Sequence, residues 1–510
     1  MGKVISLTFS VLQLVLFLVA VIATYELLRW IVVSFFKKKF TRSVTTFLRK
    51  NEVRFDQFKL TNKLIIRDQI LNDQEVAQKI LEESRRREVF YEDVRQEAEE
   101  YIDEIVPTFN LLSYYKFGYH IARLLLKSLY EVVIDESRKD NIQDIPGDSL
   151  VIYVMNHRSN LDYIVVAYML MENISVSYAV GEWARVFPLD ILFKSFGAYF
   201  VRRNSRNPLY HTVLRKYVEL ISQNNVTQGI FLEGGLSRNG EFRSPRTGLL
   251  DYIISGVAGE EDPKITFVPV GINYDWILED KTLIREWKHG KRTLTFSDYI
   301  RSFFSILLKL PYIVIVNAYR ILSGRIREHG YISVQFGDPI RLDSLLDSER
   351  VTETEEYGDR RELLRETASS LMREIGKVVP ITPVSLLALT LYYHEGREIS
   401  RDECLDEMRD LWDRLESAGA TLMMGEEYEA QIQVRKRLES EHWLRKKELV
   451  EFEKDLLKGD EVEKTLRIAT DILSRRKMIK VHRDRLEINP DKADFVEYYA
   501  NSIRHHLNGE

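Results

Sequence analysis

"NHRSNLDY", Asn156 to Tyr163, joins two strongly apolar runs, and the fold and the chemistry both turn on how it is read. The run before it, "LVIYVM" at 150–155, is β-rich and short enough for a buried strand. The run after it, "IVVAYMLM" at 164–171, continues as a helix once Ser159 or Asn160 caps its start. His157 then falls where the strand ends, and Asp162 falls in the first turn of the helix. On one continuous helix, residues five apart point roughly 140° away from each other. A strand-to-helix turn can fold the same two side chains together. The octapeptide alone favours a plainer reading, in which Asp162 complements the helix dipole and His157 is a hydrogen-bonded loop residue.

The chain of 510 residues is too long for one average core. It is 45% apolar and 30% charged, with a formal net charge of -5, which argues against a nucleic-acid partner. The single cysteine, Cys404, excludes an internal disulfide framework and a cysteine-rich zinc site. Val4 to Tyr25 carries no charge and is long enough to cross a bilayer. Lys37, Lys38 and Lys39 follow it, which predicts an uncleaved single-pass anchor with the rest of the chain on the cytoplasmic face, at the plasma membrane if the source is bacterial. A secretory signal peptide is the alternative, although its basic residues would precede the apolar run.

Residues 1–40 thus read as a transmembrane anchor with a basic flank, and 41–145 as a charged helical region. From "PGD" at 146–148 the texture changes. Short apolar runs, "LVIYVM", "ISVSYAV", "GAYFV", "GIFLEG", "ITFVPVGI" and "YISVQFG", alternate with helical segments. This predicts an α/β domain with a central mixed sheet flanked by helices over 146–345, followed by a helical C-terminal domain over 346–510. The apolar stretch 302–318 has Lys309 and Pro311 in its middle, so it reads either as a helix lying in the membrane interface or as a buried core helix.

Three further clusters follow the octapeptide. "GAYFVRRN" places Arg202 and Arg203 after a strand, where forked donors suit a phosphate dianion. "FLEGGLSRNG" places Glu233, Gly234, Ser237 and Arg238 at another strand end, where the glycines admit a close ligand and Ser237 and Arg238 can bind its oxygens. Each also reads singly as a solvated arginine pair or an ordinary tight turn. "FVPVGINYD", 267–275, is an apolar strand whose Pro269 signals an edge or an irregularity.

In order and spacing these blocks resemble the glycerolipid acyltransferase superfamily, in its glycerol-3-phosphate and dihydroxyacetone-phosphate acyltransferase branch. "HRSNLDY" is similar to that branch's catalytic block, "GAYFVRR" to its second, "EGGLSRNG" to its third and "VPVGINYD" to its fourth. "VQFGDPI", "ITPVSLLA" and "YYANSIRHHL" resemble its later segments. Leu236 departs from the pattern, standing where the third block commonly has arginine. The resemblance implies a membrane-bound glycerol-3-phosphate O-acyltransferase that takes its acyl group from acyl-CoA or acyl-carrier protein, gives lysophosphatidic acid and needs no cofactor or metal. It implies His157 as general base and Asp162 as its orienter, with Arg202, Arg203, Ser237 and Arg238 on the substrate phosphate and Glu233 and Gly234 shaping the site. An acceptor hydroxyl supplies the nucleophile in such a reaction, so Ser159 reads as a turn residue. Dihydroxyacetone phosphate or a lysophospholipid as acceptor, or a catalytically silent membrane scaffold, are the alternatives.

Overall fold

The computed structural model describes residues 58, 61, 63–108, 119–135, 142, 144–170, 176–181, 193–194, 197–202, 205–257, 264–290, 312, 315–317, 319, 329–345, 357–394, 397–423 and 461–507. Helices α1 (Lys63–Leu71), α2 (Gln74–Arg87), α3 (Tyr91–Ile105) and α4 (Tyr119–Leu129) come first. Then follow β1 (Glu131–Asp135), β2 (Leu150–Met155), α5 (Asp162–Leu170), β3 (Ser177–Gly181), β4 (Tyr199–Val201) and α6 (Pro208–Gln223). Next are β5 (Gln228–Phe231), α7 (Gly248–Val257), β6 (Ile265–Tyr274), α8 (Asp280–His289), β7 (Tyr331–Phe336) and β8 (Ile340–Arg341). The C-terminal region adds α9 (Tyr357–Lys377), α10 (Pro383–Tyr393), β9 (Ile399–Ser400), α11 (Arg401–Ser417), α12 (Glu461–Arg475), β10 (Ile479–His482), β11 (Arg485–Ile488) and α13 (Ala493–Arg504).

Among the described residues the main sheet runs β1-β7-β6-β2-β5-β3-β4, with β8 beside β6. Strands β6, β2, β5, β3 and β4 are parallel, whereas β7 is antiparallel to β6 and parallel to β1. The sheet is therefore mixed. Strands β2, β6 and β7 are buried along their whole length, which is why they read as continuous apolar runs rather than alternating ones. Alternate residues serve the two faces. Val151, Tyr153 and Met155 of β2 join the core formed with α4, α5, α8 and α10 to α13. Leu150, Ile152 and Val154 join the core formed with α1 to α3, α6, α7 and α9.

Two features differ from the sequence reading. The sheet starts before residue 146, because β1 pairs in parallel with β7, Glu131 opposite Tyr331. The C-terminal region also holds a small antiparallel sheet, β10-β11-β9, and its helices α10 to α13 share one core with β2, β6 and β7. Helix α10 is apolar on every side and buried, as a helix inside such a core must be. Buried Asp275 ties it to the main sheet, accepting from the Val384 N–H at the start of α10 and from the Tyr331 N–H of β7.

Pro269 lies inside a central strand. Its carbonyl accepts from the Gly337 N–H in the turn between β7 and β8. In a strand the N and C=O of one residue face the same side, so the ring nitrogen faces this break in pairing and costs no ladder bond. The anchor expected at 4–25 lies outside the described residues, as does most of 302–318. Of the described part, Tyr312 and Ile315 are exposed, while buried Asn317 donates to the Ser128 carbonyl at 2.5 Å. No helix among the described residues is long and apolar enough to cross a membrane.

Gly271 of β6 is where the segment joining α9 to α10 crosses the sheet. A Cβ there would lie 2.0 Å from the Val378 carbonyl oxygen, and that neighbour is backbone. Gly271→Ala is expected to lower the melting temperature by several degrees or to block folding, because overpacking of a close-packed core is not absorbed. An unchanged thermal unfolding curve would contradict this packing.

Candidate active site

Strand β2 ends at Met155, and the side chain of Asn156 prolongs its pairing with β6. Its amide donates to the Ile272 carbonyl and accepts from the Ile272 N–H, each at 2.8 Å. The chain then turns, and α5 starts at Asp162. The turn brings His157 Nδ1 to 2.9 Å from Asp162 Oδ2, with both side chains fully buried. The same oxygen accepts from the Arg158 N–H at 2.7 Å and the Ser159 N–H at 3.0 Å. The Tyr274 hydroxyl donates to Asp162 Oδ1 at 2.6 Å. An ionised carboxylate only accepts, so His157 contributes Nδ1–H and the lone pair is on Nε2, the tautomer of a general base.

Parallel pairing of β2 with β5 places Met155 opposite Phe231, and so His157 level with Glu233. Glu233 accepts from the His157 N–H at 2.9 Å with one oxygen and from the Arg243 N–H at 3.0 Å with the other. The Ser237 N–H donates to the His157 carbonyl at 3.1 Å. The imidazole stacks on Phe231, with centroids 4.1 Å apart, and meets Tyr163 edge-on at 5.4 Å. The ring is thus fixed by its backbone, by its plane and by one nitrogen.

The remaining expected site residues are spread more widely. Gly234 is exposed with φ +62°, a backbone conformation that favours glycine. Ser237 is buried, and its hydroxyl turns inward to donate to the Glu241 carbonyl at 2.6 Å. Partly exposed Arg238 pairs through Nε with Glu286 of α8 at 3.2 Å. Arg202 follows edge strand β4, about three strand spacings or roughly 14 Å from β2. Its guanidinium is paired with Glu104 of α3 and lies over the rings of Tyr101 and Tyr210. Arg203 lies outside the described residues. The turn therefore assembles His157, Asp162 and Glu233 directly, and leaves Arg238 at the rim and Arg202 at the sheet edge.

A family model for acyltransferases matches residues 135–273, and one for the glycerol-3-phosphate acyltransferase C-terminal region matches 317–508. The chain belongs to the glycerol-3-phosphate acyltransferase branch of the acyltransferase superfamily. A glycerol-3-phosphate acyltransferase of Aeromonas hydrophila is 26% identical over 386 residues, 74% of this chain and 45% of its own. Another, of Pseudomonas syringae, is 27% identical over 353 residues, 67% of this chain and 40% of its own. The chain thus spans less than half the length of these relatives. A solved 1-acyl-sn-glycerophosphate acyltransferase of Thermotoga maritima aligns over 51% of this chain and 77% of its own, at 15% identity and a TM-score of 0.28.

Several residues of this site were not legible as such in the sequence. Arg158 is buried, its guanidinium donating to the carbonyls of Gly240 and Ser502 and so tying the His157 turn to the third block and to α13. Gly240, at φ +88°, makes this approach feasible, since a Cβ there would meet the Tyr498 carbonyl at 2.0 Å. Glu279 receives the Ser159 hydroxyl at 2.8 Å and the Asn160 N–H at 3.1 Å. Ser159 also accepts from the Leu161 N–H at 3.1 Å, which makes it a turn residue. Only the placement of polar residues directly after fully apolar strands hinted at these roles.

Burial pushes the Glu233 carboxyl up to about 7, against the opposing pull of the Arg158 charge and two backbone N–H donors. The folded chain holds this proton more tightly than the unfolded chain does. Its contribution to stability is therefore complete below the ordinary carboxyl value of 4.5 and fades as pH rises through about 7. The melting-temperature advantage of the native protein over Glu233→Gln should accordingly shrink between about pH 5 and about pH 8. A gap that stays constant or widens across that range would contradict a buried carboxyl with a raised pKa.

Proposed function

We propose that this acyltransferase transfers a fatty acyl group from acyl-CoA or acyl-carrier protein to the sn-1 hydroxyl of glycerol-3-phosphate, giving lysophosphatidic acid. The observation that carries the reading is the buried His157–Asp162 pair, with its Nε2 lone pair set by four donors converging on one carboxylate. In this mechanism His157 Nε2 takes the acceptor hydroxyl proton as that oxygen attacks the thioester carbonyl. Asp162 stabilises the imidazolium that forms. The C–S bond then breaks, and the imidazolium returns its proton to the departing sulfur. Ser159 is held by Glu279 and Leu161 and takes no part as a nucleophile.

The acceptor phosphate is assigned to Arg238 at the rim, with Arg202 at the strand end beyond it. A dianion would compete there with Glu286 and Glu104, which hold Arg238 and Arg202 here. We assign residues 4–25 to a bilayer anchor, with the catalytic region on the cytoplasmic face where thioester donors are made.

Mass spectrometry of products formed by the purified protein from acyl-CoA and a panel of acceptors tests the reaction directly. Lysophosphatidic acid from glycerol-3-phosphate is expected, and product only from a lysophospholipid would overturn the acceptor. His157→Ala should lower kcat by at least about 10²-fold. Arg238→Ala should raise KM for glycerol-3-phosphate by about tenfold or more, with KM for the donor little changed. An effect on the donor alone would place the CoA phosphates at Arg238.

A further inference from the structure

Tyr274 ends β6, and β6 lies beside β2 in parallel, so its last residue reaches the same end of the sheet as the His157 turn. It shares a face with Ile272 and Val270, the face that carries Tyr153, Met155 and α5. An aromatic in that register looks like core, and its ring is core, fully buried and edge-on to Tyr130 at 5.9 Å. Tyr130 is itself fixed by donating to the Trp276 carbonyl at 2.6 Å. The hydroxyl of Tyr274 does something a core residue does not need to do. It donates to Asp162 Oδ1 at 2.6 Å, on the oxygen opposite the one that receives His157.

We propose that Tyr274 is a positioning residue of the acyl-transfer step, holding the Asp162 carboxylate in the orientation that receives His157 Nδ1–H. The terminal torsion of an aspartate is soft, so the carboxylate needs donors at both oxygens to stay in one plane. Oδ2 takes the imidazole and two backbone N–H groups, and Tyr274 supplies the donor at Oδ1. Burial, reinforced by the neighbouring Asp162 charge, pushes the phenol well above its ordinary value, so it remains a donor throughout the working pH range. The role extends the His157–Asp162 reading above and rests on it.

Tyr274→Phe removes only the hydroxyl. It should lower kcat about tenfold, as expected for one lost hydrogen bond to a charged group, with KM for both substrates little changed. Less-neutralised negative charge on Asp162 favours the imidazolium, so the acidic limb of kcat/KM should move to higher pH. 4-Aminophenylalanine placed at position 274 keeps a donor of similar reach and should restore both kcat and the limb. Two variants with the same kcat and the same acidic limb would overturn the proposal, whether both match the native enzyme or both fall equally. His157→Ala assayed alongside separates the two levels. If that variant turns over normally, the dyad reading fails. If it is inactive and Tyr274→Phe behaves as native, only the positioning role fails.

Discussion

The Asp162 carboxylate is the point on which the site depends. It is fully buried at the start of α5, where the helix dipole favours a negative charge, and it gathers one imidazole, two backbone amides and one phenol. The two amides belong to Arg158 and Ser159, within the turn that also carries His157. The same contacts therefore shape the loop and orient the imidazole. A buried carboxylate without such partners would be strongly disfavoured, so the turn is stable only in the form that aligns the imidazole.

The surrounding structure holds that turn from three directions. On one side Glu233, at the end of β5, staples the His157 backbone to the third block. On another, Glu279 holds Ser159 and Asn160 from the start of α8. Beneath the turn, Arg158 reaches the Ser502 carbonyl of α13, far away in sequence. The C-terminal region is thereby part of the scaffold that holds the His157 turn, and the core that α10 to α13 share with β2, β6 and β7 is consistent with that. This gives a physical reason for the acyltransferase and C-terminal family segments to occur together in one chain.

Much of this was readable in the sequence because burial and chain direction leave local traces. The apolar runs at 150–155, 265–272 and 331–337 mark strands buried on both faces, and the polar residues placed directly after the first two, which run in parallel, mark the end of the sheet that carries the His157 turn. Strand β1 left no such trace, because "EVVID" is short and mostly half-buried. Partners distant in sequence were also beyond reach. Nothing local to Arg202 names Glu104, and nothing local to Ser237 shows that its hydroxyl turns toward Glu241. Tyr274 was hidden for the opposite reason, since its ring satisfies the apolar pattern and only its hydroxyl carries the second role.

The central claim is that Asp162, by accepting from Nδ1–H, leaves His157 Nε2 free of a proton and ready to act as base. The turnover of Asp162→Asn measures this most directly. An asparagine of the same shape must turn an NH2 group toward donors now held by a carboxylate oxygen, and it gives the imidazolium no charge to lean on. The account predicts a folded protein that still binds both substrates, with kcat lower by at least about 10²-fold. A folded Asp162→Asn enzyme with near-native kcat would contradict it.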